Sequence, residues 1–161
     1  MTRRAAPDHD EAAARVLRQF RQVFNAVKTH FQQIEKQVGM GGAQVWALSV
    51  IRDRPDIGTG ELARSMQIHP STASNLVRAL AERALVATSK DPLDRRAVRL
   101  RVLPAGVRLL KRSPGPFTGV LPTALAALDA KTLVRLEKDL AALIAVLGAD
   151  EAAGGIPLSE M

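Results

Sequence analysis

The chain of 161 residues contains no cysteine, which excludes disulfides, thiolate zinc sites, iron–sulfur clusters and cysteine-based redox sensing together. Its stability must rest on packing. No apolar run approaches the roughly 18 residues that span a bilayer, and Met1-Thr2-Arg3-Arg4 leads into charge rather than into an apolar signal region. A cytoplasmic location with no membrane partner is therefore expected. The three histidines, His9, His30 and His69, are scattered, and the chain has no glycine-rich phosphate loop and no serine in an elbow motif. With no constellation for nucleophilic or metal chemistry, the expectation is no enzyme, no metal site and no cofactor.

What is present is a foldable, basic chain. Hydrophobic residues make up 47% and charged residues 24%, the balance of a soluble globular domain rather than of a disordered one. The net charge of +7 is unevenly spread. Residues 1–51 carry seven basic and four acidic groups, and residues 113–161 carry three and six. Residues 52–112 hold thirteen basic against six acidic side chains, a concentration that favours a polyanionic partner.

From about Asp8 to Val38, Val16, Phe20, Val23, Phe24, Val27, Phe31, Ile34 and Val38 recur at three- and four-residue steps. This spacing predicts one amphipathic helix about 45 Å long. It overruns the width of a small domain, so part of its stripe is expected to meet a second chain. Gly39, Gly41 and Gly42 stop it, and a second helix follows from about Ala43 to Arg52, ended by Pro55. A short helix spans Thr59–Met66, with Thr59 as the expected N-cap. After the turn Gln67-Ile68-His69, Pro70 occupies the first position of a helix running to about Arg83.

That last helix separates into two stripes. Ala73, Leu76, Val77 and Leu80 face inward, whereas Ser71, Ser74, Asn75 and Arg78 share another face that is small, polar and basic. A merely solvated helix usually carries long Glu and Lys there. Short hydroxyl, amide and guanidinium groups instead suit a helix lying in a DNA major groove, where they exchange hydrogen bonds with base edges.

Residues 85–90 and 97–102 read as two strands around the tip Asp91-Pro92-Leu93-Asp94-Arg95-Arg96, with Val98, Leu100 and Val102 alternating against Arg99 and Arg101. Helices, tight turn and basic hairpin in this order make a winged helix-turn-helix. Arg95 and Arg96 sit where a narrow minor groove attracts guanidinium groups. One of them is expected to be held by Asp94 and the other to be free. Helix is expected again over Pro104–Arg112, broken by Ser113-Pro114-Gly115-Pro116, then from Phe117 to Leu128. A last helix runs from the N-cap Asp129 to Leu147, with Leu133, Leu136, Leu140, Leu143 and Leu147 at coiled-coil spacing. Two heptads are too few to stand alone but suit part of a larger dimer interface. Residues 148–161 are expected to be a flexible tail.

The stretch from Gln44 to Gly106 resembles the MarR family of bacterial transcription factors. The resemblance is carried by Gln44-Val45-Trp46-Ala47-Leu48, Glu61-Leu62-Ala63, Pro70 through Leu80, Leu85-Val86, Asp91 through Ala97 and Leu103-Pro104-Ala105-Gly106. It implies a mainly α fold with a small β-hairpin wing: a winged helix-turn-helix lobe over residues 43–103, and a helical dimerisation region from both termini, residues 8–42 and 104–147. It further implies a homodimeric, sequence-specific regulator, a repressor, on a pseudo-palindromic double-stranded DNA operator. Ser71, Thr72, Ser74, Asn75, Arg78, Arg95 and Arg96 would touch the DNA. A small aromatic or anionic effector would release it, and Phe24, Lys28, Phe31 and Trp46 are candidates to line the effector cleft.

Four positions depart from the family pattern. Ala84 stands where glycine is usual, Thr88 where arginine is common, His69 where a Ser or Asp cap precedes the proline, and the Ser113–Pro116 break interrupts the fifth helix. The rival reading is a winged helix used for protein–protein contact. Steeply salt-dependent duplex binding discriminates the two.

Overall fold

The apolar stripe of the first forty residues becomes one helix, α1 (Ala6–Val38), in a computed structural model that describes residues 6–160. The basic leader Met1–Arg4 lies outside the described residues. The two halves of α1 differ. Val27, His30, Ile34 and Val38 are buried, whereas Val16, Leu17, Val23 and Phe24 are exposed, so the first half leaves its stripe uncovered within the chain. Gly39, at φ 68°, then supplies the left-handed turn that ends the helix.

Helix α2 (Gly42–Asp53) is the spine of the core, with Ala43, Val45, Ala47, Leu48 and Ile51 buried and Trp46 half-buried. Beyond Pro55 the backbone pairs briefly as β1 (Ile57–Gly58), a strand the sequence reading did not anticipate. Helix α3 (Thr59–Met66) starts one residue earlier than a Thr59 cap implies. Gly58 is its N-cap, and Thr59 is already helical. Gln67, at φ 55°, reverses the chain, and Pro70 opens α4 (Pro70–Glu82).

A Schellman motif ends α4. The Ala84 N–H donates to Ala81 O at 2.9 Å and the Leu85 N–H to Leu80 O at 3.0 Å. This places Ala84 in the left-handed region at φ 54°, which is why a glycine suits the position. Strands β2 (Val86–Lys90) and β3 (Val98–Val102) pair antiparallel with Val86 opposite Val102 and Lys90 opposite Val98. Ile57 of β1 pairs Leu100 on the other edge of β3, so the sheet order is β1-β3-β2. Only the base of the ribbon packs. Val86 and Leu100 are buried, but Val98 lies exposed.

Helix α5 (Pro104–Arg112) packs so closely on the wing's base that a Cβ on Gly106 would lie 2.6 Å from Leu85 O. After the proline break, α6 covers only Val120–Ala126, shorter than the expected Phe117–Leu128, because residues 117–119 form a turn entering Gly119 at φ 99°. Asp129 caps α7 (Ala130–Leu147) by accepting from the Thr132 N–H at 2.9 Å. No residue of α7 is buried, and Val134, Leu143, Ile144, Val146 and Leu147 remain exposed. The core lies between these ends, where Ile34, Leu48, Ile51, Leu62, Met66, Leu80 and Leu100 are fully enclosed. Truncating such a side chain to alanine typically costs about 2–5 kcal/mol.

The segment after Gly148, read as a flexible tail, instead folds back. It makes two short 3-10 turns, Glu151–Gly155 and Leu158–Glu160, and buries Pro157. It docks on a surface assembled from α1, α2 and the turn between α3 and α4. No helix among the described residues is long and apolar enough to cross a membrane.

Candidate nucleic-acid interface

Proline at the first position and a Schellman turn at the end fix the length of α4, and its inward residues Ala73, Leu76, Val77 and Leu80 fix its rotation. With that face buried, Ser71, Ser74, Asn75 and Arg78 project to solvent. Thr72 sits at the edge of the face, half-buried. Ser74 Oγ donates to Pro70 O at 3.0 Å, which leaves its lone pairs outward. The helix thus presents a ridge of donors and acceptors with no long aliphatic side chain in its first two turns.

The wing tip is built by its own carboxylates. Asp91 accepts from the Leu93 N–H at 2.8 Å and Asp94 from the Arg96 N–H at 3.0 Å, both side chain to backbone. Asp91 also takes the Arg99 guanidinium at 2.9 Å. The bond from Leu93 and then the pairing with Arg99 hold the Asp91 carboxyl below its ordinary pKa. Lower on the ribbon, Arg101 grips Asp56 with two bonds of 2.6 and 2.7 Å, and that hydrogen bonding likewise depresses the Asp56 carboxyl.

This corrects the expectation that Asp94 holds one tip arginine. Asp94 spends its oxygen on backbone and Asp91 takes Arg99, which lies diagonally across the ribbon, opposite Ser89. Among the described residues neither Arg95 nor Arg96 forms an ion pair, and both are exposed. Arg96 shares a groove with Thr59, Gly60 and Arg64 of α3, a cation the sequence reading left unassigned. Leu93 stands at the tip almost wholly exposed, 94%. The position of Arg64 in the short helix just before α4 was the signal available for it.

The four cleft candidates do not converge on one hollow. Phe31 and Trp46 line a cavity of about 180 Å3 with Met66, Ile68, Phe117 and Pro122. Phe24 and Lys28 line a second, more open hollow with Val27, Phe31 and Glu35. Phe24 stacks on Phe20 with centroids 6.1 Å apart. His69, which stands where a Ser or Asp cap is usual, is half-buried. It offers α4 no side-chain cap, and its Nε2–H donates to Ala152 O of the returning segment at 2.7 Å.

A family model described as "MarR family" matches residues 38–97. The HTH-type transcriptional regulator YsmB of Bacillus subtilis (strain 168) is 30% identical over 101 residues, covering 63% of this chain and 69% of that protein. In architecture the chain is similar to MepR of S. aureus in a DNA complex, at a TM-score of 0.57 and 18% identity over 84% of this chain and 97% of the other. It is also similar to the regulator PcaV of Streptomyces coelicolor in complex with its natural ligand, at a TM-score of 0.50 and 21% identity over 92% and 98%.

Proposed function

From the premise that this chain belongs to the MarR family of transcription regulators, and so is not an enzyme, we propose that it is a repressor binding a pseudo-palindromic operator as a homodimer. One observation carries this reading. The exposed face of α4 is made of Ser71, Ser74, Asn75 and Arg78, groups that donate and accept at base edges without holding the backbone away from the groove. Thr72 at its margin is placed for phosphate. The unpaired Arg95 and Arg96 supply the cations for a flanking minor groove.

Dimerisation is supported by what the protomer leaves bare. The first half of α1 and the whole of α7 expose apolar stripes, and both are long enough to pair with a second copy. Labour then divides by segment, with residues 43–103 holding DNA and residues 8–42 and 104–147 pairing the protomers.

An aromatic effector fits the cavity beside Phe31 and Trp46. A dry cavity of about 150 Å3 accepts one benzene ring, so about 180 Å3 takes a single ring with a small substituent. Among the described residues no charged side chain lines this cavity, and an anionic substituent would find its countercharge at Lys28 in the neighbouring hollow.

The test is Arg78→Ala on the native operator and on an unrelated duplex of equal length. Specific affinity should fall by about 1–3 kcal/mol, with little change on the unrelated duplex. Equal affinity of parent and variant for the operator removes Arg78 from base reading. A parent that binds no duplex returns the winged helix to a protein-contact role.

A further inference from the structure

The segment that returns after α7 lies against the cleft just described, and its placement is specific. Asp150 caps the first 3-10 turn by accepting from the Ala152 N–H at 3.0 Å. His69 clasps that turn twice, through its ring to Ala152 O at 2.7 Å and through its backbone N–H to Gly155 O at 3.3 Å. Gly155 permits the approach, since a Cβ there would fall 2.6–2.9 Å from three atoms of the His69 ring. Pro157 then enters the interior, and the turn Leu158–Glu160 crosses both α1 and α2. Gly154, Pro157, Leu158 and Ser159 wall the cavity of Phe31 and Trp46, while Leu158 and Ser159 also wall the hollow of Phe24 and Lys28. One piece of chain thus walls both hollows.

The residue that clasps the segment is also the N-cap of α4, whose first helical bond runs from the Ala73 N–H to His69 O at 3.0 Å. We propose that residues 150–160 are an internal gate on the effector cleft, displaced when a ligand enters and tying cleft occupancy to the start of the recognition helix through His69. This rests on the reading that the cleft takes an aromatic effector. A gate docked about nine-tenths of the time lowers a ligand's apparent affinity about tenfold, because only the open fraction binds.

Two variants of the whole chain open the gate by substitutions within the segment itself. Pro157→Asp places a carboxylate at the one buried position of the segment, and Gly155→Val drives a branched side chain into the His69 ring. The probe is anilinonaphthalene sulfonate, an anionic aromatic dye that fluoresces in apolar sites, read alongside hydrogen exchange at the His69 amide. Both variants should bind dye about tenfold more tightly and lose protection at His69. Equal dye affinity in parent and variants overturns the gate, as does His69 protection that survives both substitutions or is absent from the parent. Dye binding in none of the proteins overturns the effector reading and the gate with it. Operator affinity of the parent, measured separately, reports on the DNA reading alone.

Discussion

Replacing both Arg95 and Arg96 with alanine removes charge from the wing tip and little else. The turn beneath them is held by Asp91 and Asp94 through the backbone amides of Leu93 and Arg96, and those amides survive the substitution. Neither side chain has an ion-pair partner to orphan among the described residues. The variant should therefore fold as the parent does, and its loss should appear only on DNA. Each arginine that neutralises a phosphate contributes about 0.9 to the slope of log affinity against log salt. Two tips with two arginines each can contribute up to about 3.6 in a dimer. Fluorescence anisotropy of a labelled operator, titrated at several salt concentrations, measures that slope directly. It should become shallower by between about 1 and 4, with affinity falling alike for operator and unrelated duplex. A slope identical to the parent's, in a folded variant, would refute the placement of the wing on DNA.

Ala84→Gly relieves a left-handed alanine at the exit of α4 and should stabilise the protein by about 1 kcal/mol. Urea denaturation at fixed protein concentration should move its midpoint upward with an unchanged m-value, and a lowered midpoint would contradict the strain assigned there. The carboxyls of Asp56, Asp91 and Asp129 are depressed in the folded state by their hydrogen bonds. Their contribution is present above the unfolded carboxylate pKa of about 3.9 and is lost as pH falls through the lower folded values. Thermal melts should therefore show stability declining below about pH 4, and Asp56→Asn should flatten that decline. A melting temperature insensitive to acid would rule the pairs out as stabilisers.

The elements most legible in the sequence are those with strong punctuation. Pro70 and Pro104 mark first helical positions, Asp129 a side-chain cap, and Gly39 and Gly148 left-handed exits, so the helices they bound stand where the pattern puts them. The outward face of α4 is equally legible, because burying Leu76 and Leu80 leaves Asn75 and Arg78 no other direction. Two residues of β1 carry no periodicity and exist only because Leu100 is there to pair with. The partner of each carboxylate is set by strand register rather than by closeness in sequence, so Asp91 meets Arg99 and Asp56 meets Arg101. The returning segment was hidden for another reason. Its Gly154-Gly155 composition reads as a linker, whereas Gly155 is what lets the backbone reach His69.

Methylation protection on the native upstream DNA tests the central claim most directly, since the methylated guanine N7 lies in the major groove. Two protected major-groove patches should appear, centred one helical turn of about 10 base pairs or a multiple of it apart. Minor-groove protection should flank both, and Arg78→Ala should weaken the two patches together. A single patch, or a duplex left unprotected at saturating protein, would contradict a paired recognition helix reading B-form DNA.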